Sequence, residues 1–264
     1  MITQTSSVIP VVHPTTAGLE EPYGHTARIG LIVLSTDPVI ERDFHHMVPD
    51  DSLGVFSTRI YLETPNSDKT FLALKEELAP AAALLLPDSR LDAVVFGCTS
   101  ASTLIGPETI QANIQQGRPG VAVTNPATAA LAALRYFNAR RIALVTPYTP
   151  QMTENVMAFL QQEGITFSSV RVAGYDTDHA IGSIPADFFV DAVLASDLSD
   201  VDAIFISCTG TKALNVIERI EEKTGLPVVV SNQAAFWHAL KLSGWRQNIP
   251  GYGRLLNSLG DENE

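Results

Sequence analysis

Cysteine is scarce: the 264-residue chain holds only Cys98 and Cys208. Two thiols in a chain of this size do not make a disulfide scaffold, so their positions matter more than their number. Positive charge is also short, with 17 Lys and Arg against 29 Asp and Glu and a formal net charge of −12. That balance argues against nucleic acid or anionic membrane as the main partner, since both need basic patches. A small anionic substrate stays open, because a pocket can be locally positive in an acidic protein. No apolar run approaches the roughly 18–20 residues of a membrane span. The first 27 residues hold no Lys or Arg and no long apolar stretch, which does not fit a secretory leader. The expected location is cytoplasmic. There is no HxxH, no CxxC and no set of clustered carboxylates, so neither a metal nor an organic cofactor is expected.

What is present is an ordinary globular balance, 45% hydrophobic and 17% charged. Residues 1–27, rich in Thr, Ser, Pro and Gly, read as a flexible tail, with an arm over a neighbouring subunit as the alternative. Short Val/Ile/Leu/Phe runs follow at 28–34, 93–96, 121–123, 142–145, 203–206 and 228–230. They fit strands buried on both faces of parallel sheets. Helix-like stretches lie between them at 68–86, 127–137, 153–163, 187–195, 212–224 and 234–242. The alternation implies βαβ units and an α/β fold.

The halves repeat. LDAVVFGCTSAS, from Leu91, lies over VDAIFISCTGTK, from Val201, which pairs Cys98 with Cys208 at an offset of 110. RIGLIV from Arg28 resembles RIALVT from Arg141, and VTNPATAA from Val123 resembles VSNQAAFW from Val230. Three matches in one order at nearly one spacing indicate duplication. The reading is two pseudo-symmetric lobes, 28–138 and 139–264, with the C-terminal segment free to pack back on the first. Ligands of open α/β sheets gather beyond the carboxyl ends of the strands, where both cysteines fall.

A thiol in a G-C-T-S or S-C-T-G loop before a helix lies near free amides and the positive end of the helix dipole. Both features are expected to depress its pKa. The loop N–H groups (that of Gly210 included) and the hydroxyls of Thr99, Ser100 and Thr209 suit a substrate carboxylate. Two opposed thiols support racemisation, one removing an α-proton while the other delivers one. They also support cis–trans isomerisation, one adding to an activated C=C while the other protonates the adjacent carbon. A lone cysteine is more often a small buried hydrophobe. The matched placement of this pair favours function.

These residues resemble the aspartate/glutamate racemase superfamily over roughly residues 28–244. Within it the likeness is to maleate cis–trans isomerases, arylmalonate decarboxylases and ectoine-utilisation proteins. It rests on GCTSAS around Cys98, VTPYTP from Val145, SCTGTKAL around Cys208 and VVVSNQAAFWHAL from Val228. The resemblance implies two flavodoxin-like lobes with the active site between them, and a dimer or tetramer. It implies Cys98 as nucleophile, Cys208 as proton donor and Tyr148 as a substrate contact. Asn232 reads as ordering its strand-to-helix turn. Asp37 departs from the isomerases, which carry Asn there, and an ionised Asp repels a second substrate carboxylate. This favours a monocarboxylate or amino acid derivative; a cap on the following helix is the other reading of Asp37. In GYDTDHAIG (174–182), Asp178 and His179 both stand as binding candidates in what reads as a solvated loop. Arylmalonate decarboxylases keep only the second cysteine. The leading reading is a cofactor-independent isomerase or racemase of a small carboxylate, in an ectoine-utilisation setting. A decarboxylase and a non-catalytic ligand-binding protein are the alternatives.

Overall fold

The computed structural model describes residues 15–261. Of the expected tail, residues 1–14 lie outside the described residues; residues 15–22 are exposed and without regular structure. The backbone is tied in from Gly24, whose N–H donates to the Asp51 carbonyl at 2.9 Å.

The first half runs β1 (Ala27–Leu34), α1 (Ile40–Met47), β2 (Leu53–Ile60), α2 (Asp68–Ala73), α3 (Leu78–Leu84), β3 (Ala93–Gly97), α4 (Thr99–Ile105), α5 (Pro107–Gly117), β4 (Ala122–Thr124) and α6 (Pro126–Tyr136). The second runs β5 (Arg141–Tyr148), α7 (Pro150–Gln162), β6 (Thr166–Tyr175), α8 (Asp178–Ser183), α9 (Ala186–Leu194), β7 (Ala203–Ile206), α10 (Ile217–Thr224), β8 (Val228–Val230), α11 (Ser231–Ser243) and α12 (Gly253–Leu256). The strands form two four-stranded sheets, ordered β2-β1-β3-β4 and β6-β5-β7-β8. All pairs are parallel. Each sheet has the strand order with which flavodoxin-like folds begin. The α/β fold expected from the repeat is the fold observed.

The duplication extends to single hydrogen bonds. Asp92 accepts from the Arg28 N–H at 2.8 Å, and its counterpart Asp202 accepts from the Arg141 N–H at 2.8 Å. In both lobes the residue before the inner strand thus pins the start of its neighbour.

Edge strands β2 and β6 are absent from the sequence reading, for a physical reason. An edge strand covered on one side need not be continuously apolar. Accordingly β2 carries exposed Ser57 and Arg59, and β6 is half-exposed along its length. The helix expected over 68–86 is interrupted. A 3-10 turn at Leu74–Glu77 separates α2 from α3, and Pro80 near the start of α3 supplies no N–H to an earlier turn.

Helix α11 follows the last strand of the second lobe yet packs on α6, α1, β1, β3 and β4 of the first. Phe236 meets Phe44 of α1 edge-on, with ring centroids 5.2 Å apart. The start of α11 therefore lies where the two lobes meet. No helix among the described residues is long and apolar enough to cross a membrane.

Candidate active site

Cys98 is delivered by β3 and caps α4. Its backbone is extended and its Sγ accepts the Ala101 N–H at 3.4 Å. The preceding Gly97 lets β3 pass close to its neighbours: a Cβ there would lie 2.8 Å from Ile40 Cδ1 and 3.0 Å from the Ile32 carbonyl oxygen.

Cys208, its counterpart on β7, is held differently. Its φ is +111°, a conformation that L side chains rarely adopt and that neighbouring contacts must enforce. Its N–H donates to Ser231 Oγ at 2.9 Å, its carbonyl accepts from Thr211 Oγ1 at 3.1 Å, and its Sγ accepts the Gly210 N–H at 3.3 Å. No α-helix starts here; a 3-10 turn begins at Lys212 and α10 only at Ile217. The expectation of a helix N-terminus at each thiol therefore holds for Cys98 alone.

The two tips are joined. Ser231 Oγ, which takes the Cys208 N–H, also accepts from Thr99 Oγ1 at 3.0 Å. One buried hydroxyl thus links the residue after the first thiol to the backbone of the second. Ser231 stands within a quoted motif, as the repeat counterpart of Thr124, but its bridging role has no signal in sequence.

Burial governs the electrostatics. Cys98 is 6% exposed, Cys208 5% and Tyr148 3%. Burial pushes both thiols above their ordinary pKa; the nearby Asp178 and Asp37 charges add to it. Amide hydrogen bonds from Ala101 and Gly210 act the other way but are outweighed. The expected depression of the thiol pKa is thus overturned: without a ligand, desolvation and two carboxylates keep both thiols protonated. Tyr148, at the end of β5, has its phenol raised well above 10, by burial first and then by Cys208, to which it hydrogen-bonds.

The remaining candidates divide. Ser100 is buried, and its hydroxyl faces the Tyr148 phenol, whose pKa it lowers against the larger effect of burial. The Thr99 hydroxyl is committed to Ser231, and the Thr209 hydroxyl bonds the Asp37 carboxylate. Gly210 offers its N–H to Cys208. Asp37 caps α1, its Oδ1 accepting from Val39 N at 2.7 Å and Ile40 N at 3.0 Å. Its pKa is nonetheless raised, by burial above all.

The 174–182 segment is not simply a solvated loop, since α8 starts within it. Asp178 turns inward, accepting from Thr36 Oγ1 and, at 3.1 Å, from Asn66 Nδ2 of the first lobe. His179 is exposed. Asn66 lies in a polar stretch that gave no reason to single it out. Asn232 does not order its own turn; it bonds Asp43 and the Thr209 carbonyl instead.

With this geometry in view, the relatives are informative. The model of the arylmalonate decarboxylase family matches residues 29–256. The maleate isomerase of Nocardia farcinica is 29% identical over 240 residues, covering 87% of this chain and 95% of that protein. The arylmalonate decarboxylase of Bordetella bronchiseptica is 36% identical over 141 residues, 52% of this chain and 59% of that protein. A mutant maleate cis–trans isomerase of Nocardia farcinica, solved with a covalently bound succinylcysteine intermediate, superposes with a TM-score of 0.80. It is 27% identical, and the match covers 88% of this chain and 98% of that one.

Proposed function

The chain belongs to the arylmalonate decarboxylase family, and from that premise we propose that it is a cofactor-independent isomerase or racemase of a small carboxylate. The observation that carries the reading is the pair of thiols on equivalent strand tips, joined through Ser231 in one nearly closed site. A decarboxylase that only protonates a planar intermediate needs one thiol; a second, equivalent one has a use when both faces of the substrate react.

In this reading the substrate carboxylate takes the buried Ser100 hydroxyl, beside Tyr148, and the amides of the first turn of α4. Tyr148, kept protonated by burial, donates to an oxygen as negative charge develops on it. For racemisation, Cys98 gives its proton to solvent as the substrate enters and then removes the α-proton as a thiolate, while the Cys208 S–H gives its proton to the opposite face. The reverse direction exchanges these roles. For cis–trans isomerisation, Cys98 sulfur adds to one alkene carbon while Cys208 protonates the other. Rotation about the new single bond follows, and return of the proton to Cys208 with loss of Cys98 sulfur restores the alkene, the Cys98 thiolate and the Cys208 thiol.

Asp37 and Asp178 refine the substrate. Both place negative charge near the thiols, so a second substrate carboxylate is opposed. A monocarboxylate or an amino acid derivative, such as one arising in ectoine utilisation, meets less repulsion. The second reading, a decarboxylase, is favoured by the 36% identity to the Bordetella enzyme. The test is incubation with candidate carboxylates in D2O, followed by NMR. An isomerase or racemase gives α-proton exchange or a geometric isomer with no carbon dioxide. A decarboxylase gives a deuterated product and carbon dioxide. Tight binding with neither outcome refutes the enzymatic reading.

A further inference from the structure

We propose that Asn232 and Asp43 are positioning residues that fix the Cys208 loop from the first lobe. The Asn232 amide donates to Asp43 Oδ2 and to the Thr209 carbonyl, both at 2.8 Å. The Thr209 carbonyl oxygen only accepts, so it sets the orientation of the amide group. Asn232 and Asp43 are fully buried, and the other Asp43 oxygen takes Arg42 Nη1 at 2.9 Å. The anchored carbonyl belongs to the residue that follows Cys208, next to the backbone with φ of +111°.

The internal repeat argues that this role is specific to the second half. Asn125, the counterpart of Asn232, caps its own helix by accepting the Thr128 N–H at 2.9 Å. In the second half Gln233 replaces Pro126 and takes over the local work, its Oε1 accepting the Val230 N–H at 3.1 Å. Asn232 is thereby released to reach across the lobes. It does so with its Oδ1 buried and lacking a partner among the described residues, a cost that a purely local cap would not incur. Together with Ser231 and Thr99, the pair gives the second thiol two tethers to the first lobe.

The turnover part of this inference rests on the proposed function; the thiol part does not. The test is the rate of iodoacetamide labelling of Cys208 relative to Cys98, resolved by mass spectrometry on the folded protein. Kinetic constants on whichever carboxylate turns over are measured beside it. Asn232→Ala should change the labelling ratio several-fold. It should lower kcat by about 10-fold to 100-fold with little change in KM, since a misplaced reacting group costs rate more than binding. Asp43→Ala, which leaves α11 untouched, should shift the ratio in the same direction, whereas Asp43→Asn keeps an oxygen for Asn232 and should restore most of it. An unchanged ratio in either alanine variant that folds, Asp43→Ala serving if Asn232→Ala does not, overturns the positioning role. A shifted ratio with no turnover of any carboxylate by the parent protein supports the tether and refutes the enzymatic reading instead.

Discussion

Asp43→Asn should change how stability depends on pH. Asp43 is fully buried, and its carboxyl is raised from 3.8 to about 7, mainly by desolvation and further by Asp37, against the hydrogen bond from Asn232 and the charge of Arg42. A carboxyl with a raised folded pKa binds its proton more tightly in the folded state. Its contribution is therefore fully present below the unfolded value of 3.8 and is lost as pH rises through about 7. The whole shift corresponds to about 4 kcal/mol, and the part lost between pH 5 and 8 to about 2–3 kcal/mol. An asparagine cannot ionise, so the variant lacks this component. Any constant cost of the substitution cancels in the slope, and Asp37 and Glu221 titrate in both proteins. Denaturant unfolding of the two proteins from pH 5 to 8.5 is the assay. The stability of the variant relative to the parent should improve by about 2–3 kcal/mol over that range. Parallel curves would refute the claim that Asp43 is a desolvated carboxyl between α1 and α11.

Other outcomes follow from the same geometry. Because both thiols are raised, iodoacetamide labelling of the free protein should be slow at pH 7–8 and keep increasing above pH 9; a plateau near pH 7 would mean thiolates that the site does not support. Asp178→Asn removes one of the charges raising both thiols and should speed labelling at a fixed pH. Tyr148→Phe should lower kcat by about 10²-fold or more if the phenol donates to developing charge, measured on the folded variant.

The strands that show in the sequence are the continuous apolar runs, the short edge strands β4 and β8 among them. Inner strands β1, β3, β5 and β7 are continuous apolar runs because helices cover the sheets on either side. Edge strands β2 and β6 carry polar residues on their open faces and so look like loops. Both catalytic candidates could be found because duplication places them at one position in two copies. The hydrogen bonds that join the lobes do not show, since Ser231, Asn232 and Asn66 bond partners 132, 189 and 112 positions away in the chain. The thiol acidity does not follow from the sequence for a related reason. A dipole near Cys98 follows from local sequence, whereas its burial and the charges of Asp37 and Asp178 exist only once both lobes close over it.

The central claim is that two thiols act on opposite faces of one substrate. It is tested most directly by comparing Cys98→Ala and Cys208→Ala on the carboxylate identified by exchange in D2O. Each variant should fold as the parent does and each should lose turnover, because neither thiol completes the reaction alone. Full turnover by Cys98→Ala with carbon dioxide released would establish the decarboxylase instead, and full turnover by both variants would contradict thiol chemistry at this site altogether.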